Sequence, residues 1–340
     1  MRTFSHLYEK TISIENLFQA WDEFKRGKRK KNDVGLFELN LEDNIFKLHE
    51  TLASKTYKHG RYYGFYIIDP KVRHIHKANV RDRIVHHALF NTLNPIFEFT
   101  FISDSYSCRK GYGTHKGFRK LITYARKVSS NYTNECWALK CDIKKFFYSV
   151  DHKILLSIIK RRIKDKELIQ LLSEIIDSYE TLLGKGIPIG NLTSQLFANI
   201  YMNELDQFVK HRMHVKYYLR YTDDFILLSN NRNDLTQYIN ILRRFLLGNL
   251  KLELHSNKTV IRRLEWGVDF LGYVALSYHS VLRTKTKRRI FKNVEKKITL
   301  FREDYISREN LHQTLASYFG ILKHVNAYGL ARLLRGKIEQ

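Results

Sequence analysis

The strongest constraint on this chain is a pair of adjacent carboxylates, Asp223 and Asp224, held between two apolar runs at residues 217–221 and 225–228. Apolar, polar, apolar in that spacing predicts a β-hairpin with the acids at its tip. A third acid, Asp142, ends a short buried strand predicted over residues 138–143. Each acid adjoins residues that a sheet should bury, Ile143 in one case and Phe225, Ile226, Leu227 and Leu228 in the other. A carboxylate there is costly unless a cation or a set of donors compensates it. Asp also favours ordinary turns, and the dipeptide alone would need no more than that. The strand-end acid upstream points further. An antiparallel sheet would bring the acids together, and hard divalent cations would turn their repulsion into ligation. That arrangement suits two-metal nucleotidyl transfer, with one ion activating a 3′-hydroxyl and the other stabilising the pyrophosphate.

The rest of the pattern is consistent with an α+β layer, an antiparallel sheet with helices on one face. Helical spacing predicts amphipathic helices over 12–24, 41–54, 114–128, 151–163, 166–178 and 232–247. Residues 61–68 suit a strand, Pro70 a turn, 71–83 a basic extended segment and 251–255 a further strand. Residues 184–190 read as a loop, with Asn191 as N-cap of the helix that follows. From Arg283 onward the chain is basic and mostly helical. A length of 340 residues with 44% hydrophobic predicts a sizeable core in two or three subdomains. Only three prolines occur and no Gly/Ser-rich linker, so the subdomains should pack continuously.

Charge narrows the partner. Lys and Arg number 59 against 34 Asp and Glu, a net +25, which favours a polyanion. A lipid surface would call for a basic amphipathic helix or a lipidation site, and neither is found. Nucleic acid is the better reading, with some of the 21 Phe and 21 Tyr as stacking surfaces and most as core. The basic run at residues 25–31 reads as a solvated loop. No apolar stretch is long enough for a membrane span, and charges break up the N-terminus, so neither membrane nor signal peptide is expected. Cys108, Cys136 and Cys141 are too scattered for a disulfide framework, and His74, His76, His86 and His87 make no recognised zinc set with Cys108. A reduced, cytoplasmic protein is expected.

Tyr221-Thr222-Asp223-Asp224 resembles the YxDD box of reverse transcriptases, and Asp142-Ile143-Lys144-Lys145-Phe146-Phe147 resembles their first palm motif. Other boxes stand in the family's order. Residues 71–89 resemble the fingers segment that grips the nucleotide triphosphate, and residues 186–206 the motif beneath template and nucleotide. Residues 252–258 resemble the segment with a lysine near the nucleotide, and Phe270-Leu271-Gly272-Tyr273 the primer grip. A single YxDD is weak, but the ordered set from about residue 60 to the C-terminus is specific.

The resemblance implies a right-hand polymerase. Fingers with a basic N-terminal extension would occupy 1–105, and palm 106–149 and 194–279. Fingers/palm helices would occupy 150–193, and a helical thumb 280–340. It also implies roles. Asp142, Asp223 and Asp224 would be catalytic and, with the Ile143 carbonyl, would hold two Mg²⁺ ions, Mn²⁺ being an acceptable substitute. Lys71, Arg73, Phe146, Phe147, Ile189, Gly190 and Lys258 would surround the deoxynucleotide, with Phe147 as the gate against a ribose 2′-hydroxyl. Gln195, Tyr221, Phe270, Leu271, Gly272 and Tyr273 would meet template and primer. So would the thumb cations Arg283, Lys285, Lys287, Arg288 and Arg289.

Most of the superfamily has Q-G-x-x-x-S-P in the palm box, where this chain has Ile189-Gly190-Asn191-Leu192-Thr193-Ser194-Gln195. That form is similar to the reverse transcriptases of diversity-generating retroelements, whose cDNA, error-prone opposite template adenine, rewrites a variable region. The short C-terminal part, without maturase extension, RNase H domain or endonuclease, fits that type. A template RNA, an RNA/DNA hybrid and a small, basic, oligomeric accessory protein are the partners implied. Ile can fill space but cannot make the hydrogen bonds of Gln, a loss of about 1–2 kcal/mol of discrimination. Three alternatives stay open at this point. Ile189 could simply pack, the enzyme could serve defence or derive from an intron, or the core could be an inactive RNA-binding scaffold.

Overall fold

Apolar residues at helical spacing gather four N-terminal helices, Tyr8–Ile12 (α1), Ile14–Phe24 (α2), Asn32–Leu39 (α3) and Leu41–Ala53 (α4). The computed structural model describes residues 2–68 and 71–339. A two-stranded antiparallel ribbon, Tyr63–Ile67 (β1) and Arg73–Lys77 (β2), follows and leads into the long helix Val80–Glu98 (α5). The buried side of α2, with Leu17, Ala20, Trp21 and Phe24, packs on α5. The turn read at Pro70 lies outside the described residues.

The centre of the chain runs Thr114–Val128 (α6), Trp137–Asp142 (β3), the single turn Phe146–Ser149 (α7), His152–Arg162 (α8), Lys166–Asp177 (α9) and Leu192–His211 (α10). Then come Tyr218–Tyr221 (β4), Asp224–Ser229 (β5), Arg232–Leu250 (α11) and Val260–Arg263 (β6). Strands β4, β5, β3 and β6 pair antiparallel in that order. The C-terminal part adds a three-stranded sheet, Val268–Phe270 (β7), Tyr273–Ala275 (β8) and Ser280–Leu282 (β9). Three helices close the chain: Thr284–Arg302 (α12), Arg308–Leu322 (α13) and Tyr328–Glu339 (α14).

The central sheet is buried on both faces, not one. Leu139, Cys141, Phe225 and Leu227 join the core built with α5 and α8–α11. Their neighbours Ala138, Ile226 and Leu228 join a second core with α6, the β7–β9 sheet and the C-terminal helices. The continuous apolar run at 225–228, rather than an alternating one, is what a doubly covered strand requires.

Three further sequence expectations are corrected. The helix read over 12–24 is split at Ser13, whose hydroxyl accepts from the Asn16 amide and starts α2. Residues 71–83 are extended only to Asn79, whose side chain accepts from the Asp82 amide and starts α5. No strand forms over 251–255. Instead α11 runs to Leu250, Lys251 turns left-handed (φ 52°), and the edge strand forms later, as β6. Leu254 makes only an isolated bridge to Ile143.

Candidate active site

The register of β3 on β5 sets Asp142 directly opposite Asp224. Tyr221 pairs with Asp224 across the hairpin, leaving Thr222 and Asp223 as the turn. Thr222 takes a positive φ of 56°, the type of conformation that two-residue hairpin turns demand. Two devices hold that turn. Thr222 Oγ1 bonds to Ser107 Oγ at 2.6 Å, and Arg220 Nη1 donates to the Thr222 carbonyl at 2.9 Å. Arg220 is fully buried, and its guanidinium grips Asp206 of α10 with two bonds, at 2.7 and 2.6 Å. Tyr218 Oη donates to the same carboxylate at 2.7 Å, and Arg220 Nη2 also reaches Ser105 Oγ at 3.0 Å.

Burial, and then the charge of Asp142, raise the pKa of Asp223 above the ordinary carboxylate value. Burial likewise pushes Asp224 up to about 6, with Lys140 opposing and the charges of Asp223 and Asp142 adding to the rise. Both carboxylates are therefore held above the ordinary range, and a further cation between them would favour their ionised forms. One cation already stands there, since Lys258 Nζ donates to Asp142 Oδ1 at 2.7 Å.

These acids open onto a cleft of about 550 Å³. Its lining brings together Lys71, Arg73, Asp142, Ile143, Phe146, Phe147, Ile189, Gly190, Gln195, Tyr221, Asp223, Asp224, Lys258 and Leu271. Lys71 and Arg73 are exposed at its edge, and the charge of Arg73 acts on Asp223. Phe147 is half-buried and meets the buried Phe146 edge-on, at 5.3 Å between ring centres. The loop before α10 is docked on β2: the His76 amide donates to the Ile189 carbonyl at 2.9 Å. Gly190 sits at φ 117°, where a Cβ would stand 2.7 Å from Ile75 Cγ2, so the close approach needs glycine. Asn191 occupies the N-cap position but caps nothing with its side chain. It instead accepts from the Ala78 amide and donates to the His76 carbonyl, stitching the same loop to the strand.

The primer-grip reading needs correction. Phe270 and Tyr273 are buried, Tyr273 against Phe118 of α6, and support the hairpin from within. The tip residues Leu271 (φ 54°) and Gly272 (φ 89°) carry the turn, and Leu271 reaches the cleft. The cations read from the sequence as thumb residues do not line this cleft. Lys285, Lys287 and Arg288 are exposed on α12, Arg289 is half-buried there, and Arg283 pairs with Asp269 at 2.9 Å.

Among the described residues no three His, Cys, Asp or Glu side chains form a ready metal cage. Magnesium does not need such a cage, because it keeps waters and uses one or two carboxylates plus substrate phosphates. Asp142 and Asp223 fit that demand as hard oxygen donors lining one cleft. The Ile143 carbonyl is not one of the groups that bridge this strand to the Leu254 segment, which are the Lys144 amide and the Asp142 carbonyl.

Sequence reading missed Arg220 and Asp206. The available signal was a lone arginine in an apolar strand next to the acids, a charge that had to find a buried partner.

The family model for "Reverse transcriptase (RNA-dependent DNA polymerase)" matches residues 58–275. Protein YkfC of Escherichia coli K12 is 27% identical over 245 residues, covering 60% of this chain and 63% of that protein. The group II intron-encoded protein LtrA of Lactococcus lactis subsp. cremoris is 24% identical over 305 residues, covering 68% of this chain and 49% of its own length. The chain thus spans less than two thirds of either relative. Among solved structures, apo telomerase from Candida tropicalis superposes with a TM-score of 0.52 at 14% identity, covering 81% of this chain and 59% of that one. That likeness shows the right-hand polymerase fold. With a family match over most of its length and three acids joined at one sheet end, the chain belongs to the reverse transcriptases.

Proposed function

We propose that this chain is an RNA-directed DNA polymerase that copies a template RNA into error-prone, adenine-mutagenised cDNA for a diversity-generating retroelement. The observation that carries the subtype is Ile189, a side chain without polar atoms lining the cleft where most of the superfamily has an amide. Asp142 and Asp223, with the Ile143 carbonyl, would hold two Mg²⁺ ions, or Mn²⁺ in their stead, and Asp224 would support them from β5. Bound there, the ions would supply Lewis acidity at the 3′-hydroxyl and at the departing pyrophosphate. Lys71 and Arg73 meet the triphosphate, for which a guanidinium fork is well shaped. Lys258 holds Asp142 until the site fills and can then give a proton to the pyrophosphate. Phe147 excludes a ribose 2′-hydroxyl above the buried Phe146. Gln195, Tyr221, Leu271 and Gly272 meet template and primer. Deoxynucleotides are the substrates, a structured template RNA and a small, basic, oligomeric accessory protein the partners, and the cytoplasm the site of action. Among the described residues no helix is long and apolar enough to cross a membrane.

Sequencing cDNA made on one template tests this reading. The parent should misincorporate mainly opposite adenine. Ile189→Gln should lower that by up to about tenfold, the ratio set by one hydrogen bond of roughly 1.4 kcal/mol. Equal error rates opposite all four template bases in the parent would remove the diversity-generating assignment. A biased parent with an unchanged variant would discard only the mechanism. The second reading, an intron-derived enzyme, is favoured by the similarity to LtrA. A template–variable repeat pair beside the gene would decide against it.

The thumb cations carry a further expectation. Neutralising Lys285, Lys287, Arg288 and Arg289 together should weaken RNA binding alike on all template sequences. It should also flatten the salt dependence by about one unit for each phosphate no longer neutralised. Binding that is flat in salt for the parent, or intact in the quadruple variant, would exclude this role.

A further inference from the structure

A second concavity, of about 590 Å³, lies between the end of β6, the β7–β8 pair and the start of α12. It shares no lining residue with the catalytic cleft. Trp266 lines it with 60% of its surface exposed, among the largest apolar side chains left in water on this chain. The residue is nevertheless held firmly. Its indole meets Trp137 edge-on, at 5.8 Å and 88°, and its carbonyl accepts from Arg262 Nη2 at 2.8 Å. Trp137 in turn lies under the guanidinium groups of Arg232 and Arg263. Just after the ring, Gly267 turns at φ 81°, where a Cβ would stand 2.7 Å from Val274 Cγ1. The backbone of this wall is thus folded tightly against β8.

The rim is cationic. Arg283 is paired with Asp269, but Arg262, Lys285 and Arg288 have no carboxylate partner among the described residues. A fixed, exposed aromatic surface flanked by three uncompensated cations matches one ligand chemistry closely. An unpaired base can stack on the ring while its phosphates meet the cations. An acidic peptide or a lipid headgroup would use the cations but has no need of the ring. The volume lies within the roughly 300–1,000 Å³ of pockets that take a nucleotide-sized ligand.

We propose that Trp266 and the adjoining cations Arg262, Lys285 and Arg288 form a second RNA site. It takes an unpaired stretch of the template RNA and anchors that RNA to the enzyme away from the point of synthesis. The proposal rests on the reading of this chain as an enzyme that copies RNA; Lys285 and Arg288 are already assigned to the template path there, and Trp266 with Arg262 extends that path to an unpaired segment that the reaction itself does not require. Rigid aromatic stacking gives affinity without base specificity, so the site should accept any unpaired segment held nearby.

The test compares the parent with Trp266→Ala, Trp266→Tyr and Arg262→Gln in the full chain. One measurement is the affinity for a long structured RNA. The other is steady-state extension on a short, fully paired primer–template. Trp266→Ala should weaken long-RNA binding about tenfold, and Trp266→Tyr, which keeps a ring, should retain most of it. Arg262→Gln should lower the salt slope by about one. For all three, kcat and the KM for deoxynucleotide on the short duplex should match the parent. Unchanged RNA affinity in Trp266→Ala would overturn the proposal, as would equal losses in the Ala and Tyr variants. Displacement of the RNA by polyglutamate as readily as by unlabelled RNA would show a charge-only surface and also overturn it. A loss of short-duplex extension in Trp266→Ala would make the ring part of the primer path instead. A parent that binds RNA but extends nothing would sink the polymerase reading alone, because the binding comparison is scored without synthesis.

Discussion

Changing Asp223 and Asp224 together to alanine will abolish deoxynucleotide addition on a primed RNA template, by more than about a thousandfold, or some 4 kcal/mol of barrier. The motive is the register of β3 on β5, which sets three carboxylates at one end of one sheet. Asp142→Asn should act alike, because it keeps the shape and removes only the charge that Lys258 pairs with and that a metal would use. None of these variants should unfold the chain. Burial holds the pKa of Asp224 near 6 against an ordinary 3.8, so its ionised form opposes folding. In metal-free protein that cost appears as pH rises from about 4 and is complete above about 6. Removing the acid removes the cost, and the unfolding midpoint at neutral pH should hold or rise. Added Mg²⁺ should raise the midpoint of the parent and leave the double variant where it was. Extension within tenfold of the parent by the double variant would refute the catalytic assignment.

Arg220→Ala should cost about 3–5 kcal/mol of stability, because it strands Asp206 as a buried, uncompensated charge. Asp206→Ala should cost as much by stranding the guanidinium. Tyr218→Phe removes one bond to the same carboxylate and should cost only about 1 kcal/mol. The informative variant is Arg220→Met with Asp206→Leu. Replacing both charges by apolar groups of similar volume should recover much of the stability. Activity should not recover, because the Thr222 carbonyl loses the donor that fixes the turn beside Asp223. Urea unfolding and single-turnover extension measured on these four variants and the parent separate the two effects. A single charge-removing variant that costs under about 1 kcal/mol, or a double variant with parental turnover, would show that the buried pair does not position the hairpin.

Much of this centre is legible in the sequence because its signals are local. The apolar runs around Asp142 and Asp223 announce strands, and helix 114–128 forms with the bounds its periodicity predicts. What escapes is non-local or short. Strands β7, β8 and β9 have three residues each, too few to display a period. Phe270 and Tyr273 look identical on a nucleic-acid face and in a core, and only the packing of Tyr273 on Phe118 decides. Asn191 has the right residue type and position for a cap, yet a strand more than a hundred residues upstream takes its side chain. Gly248-Asn249 looks like a helix stop, yet α11 runs through it to Leu250 and turns left-handed only at Lys251, so the edge strand falls later than the pattern suggests.

The bonds that stitch Ile189 and Asn191 to β2 have a mechanical consequence. The β1–β2 ribbon carries Lys71 and Arg73 towards the cleft, and its second strand is tied through His76 and Ala78 to the loop that bears Ile189. The ribbon and that loop are thus parts of one hydrogen-bonded stretch of backbone. In the function proposed above, the cations that would meet the triphosphate and the side chain that would face the base pair share that framework, so a change that loosens the Asn191 bonds should alter nucleotide grip and mismatch tolerance together.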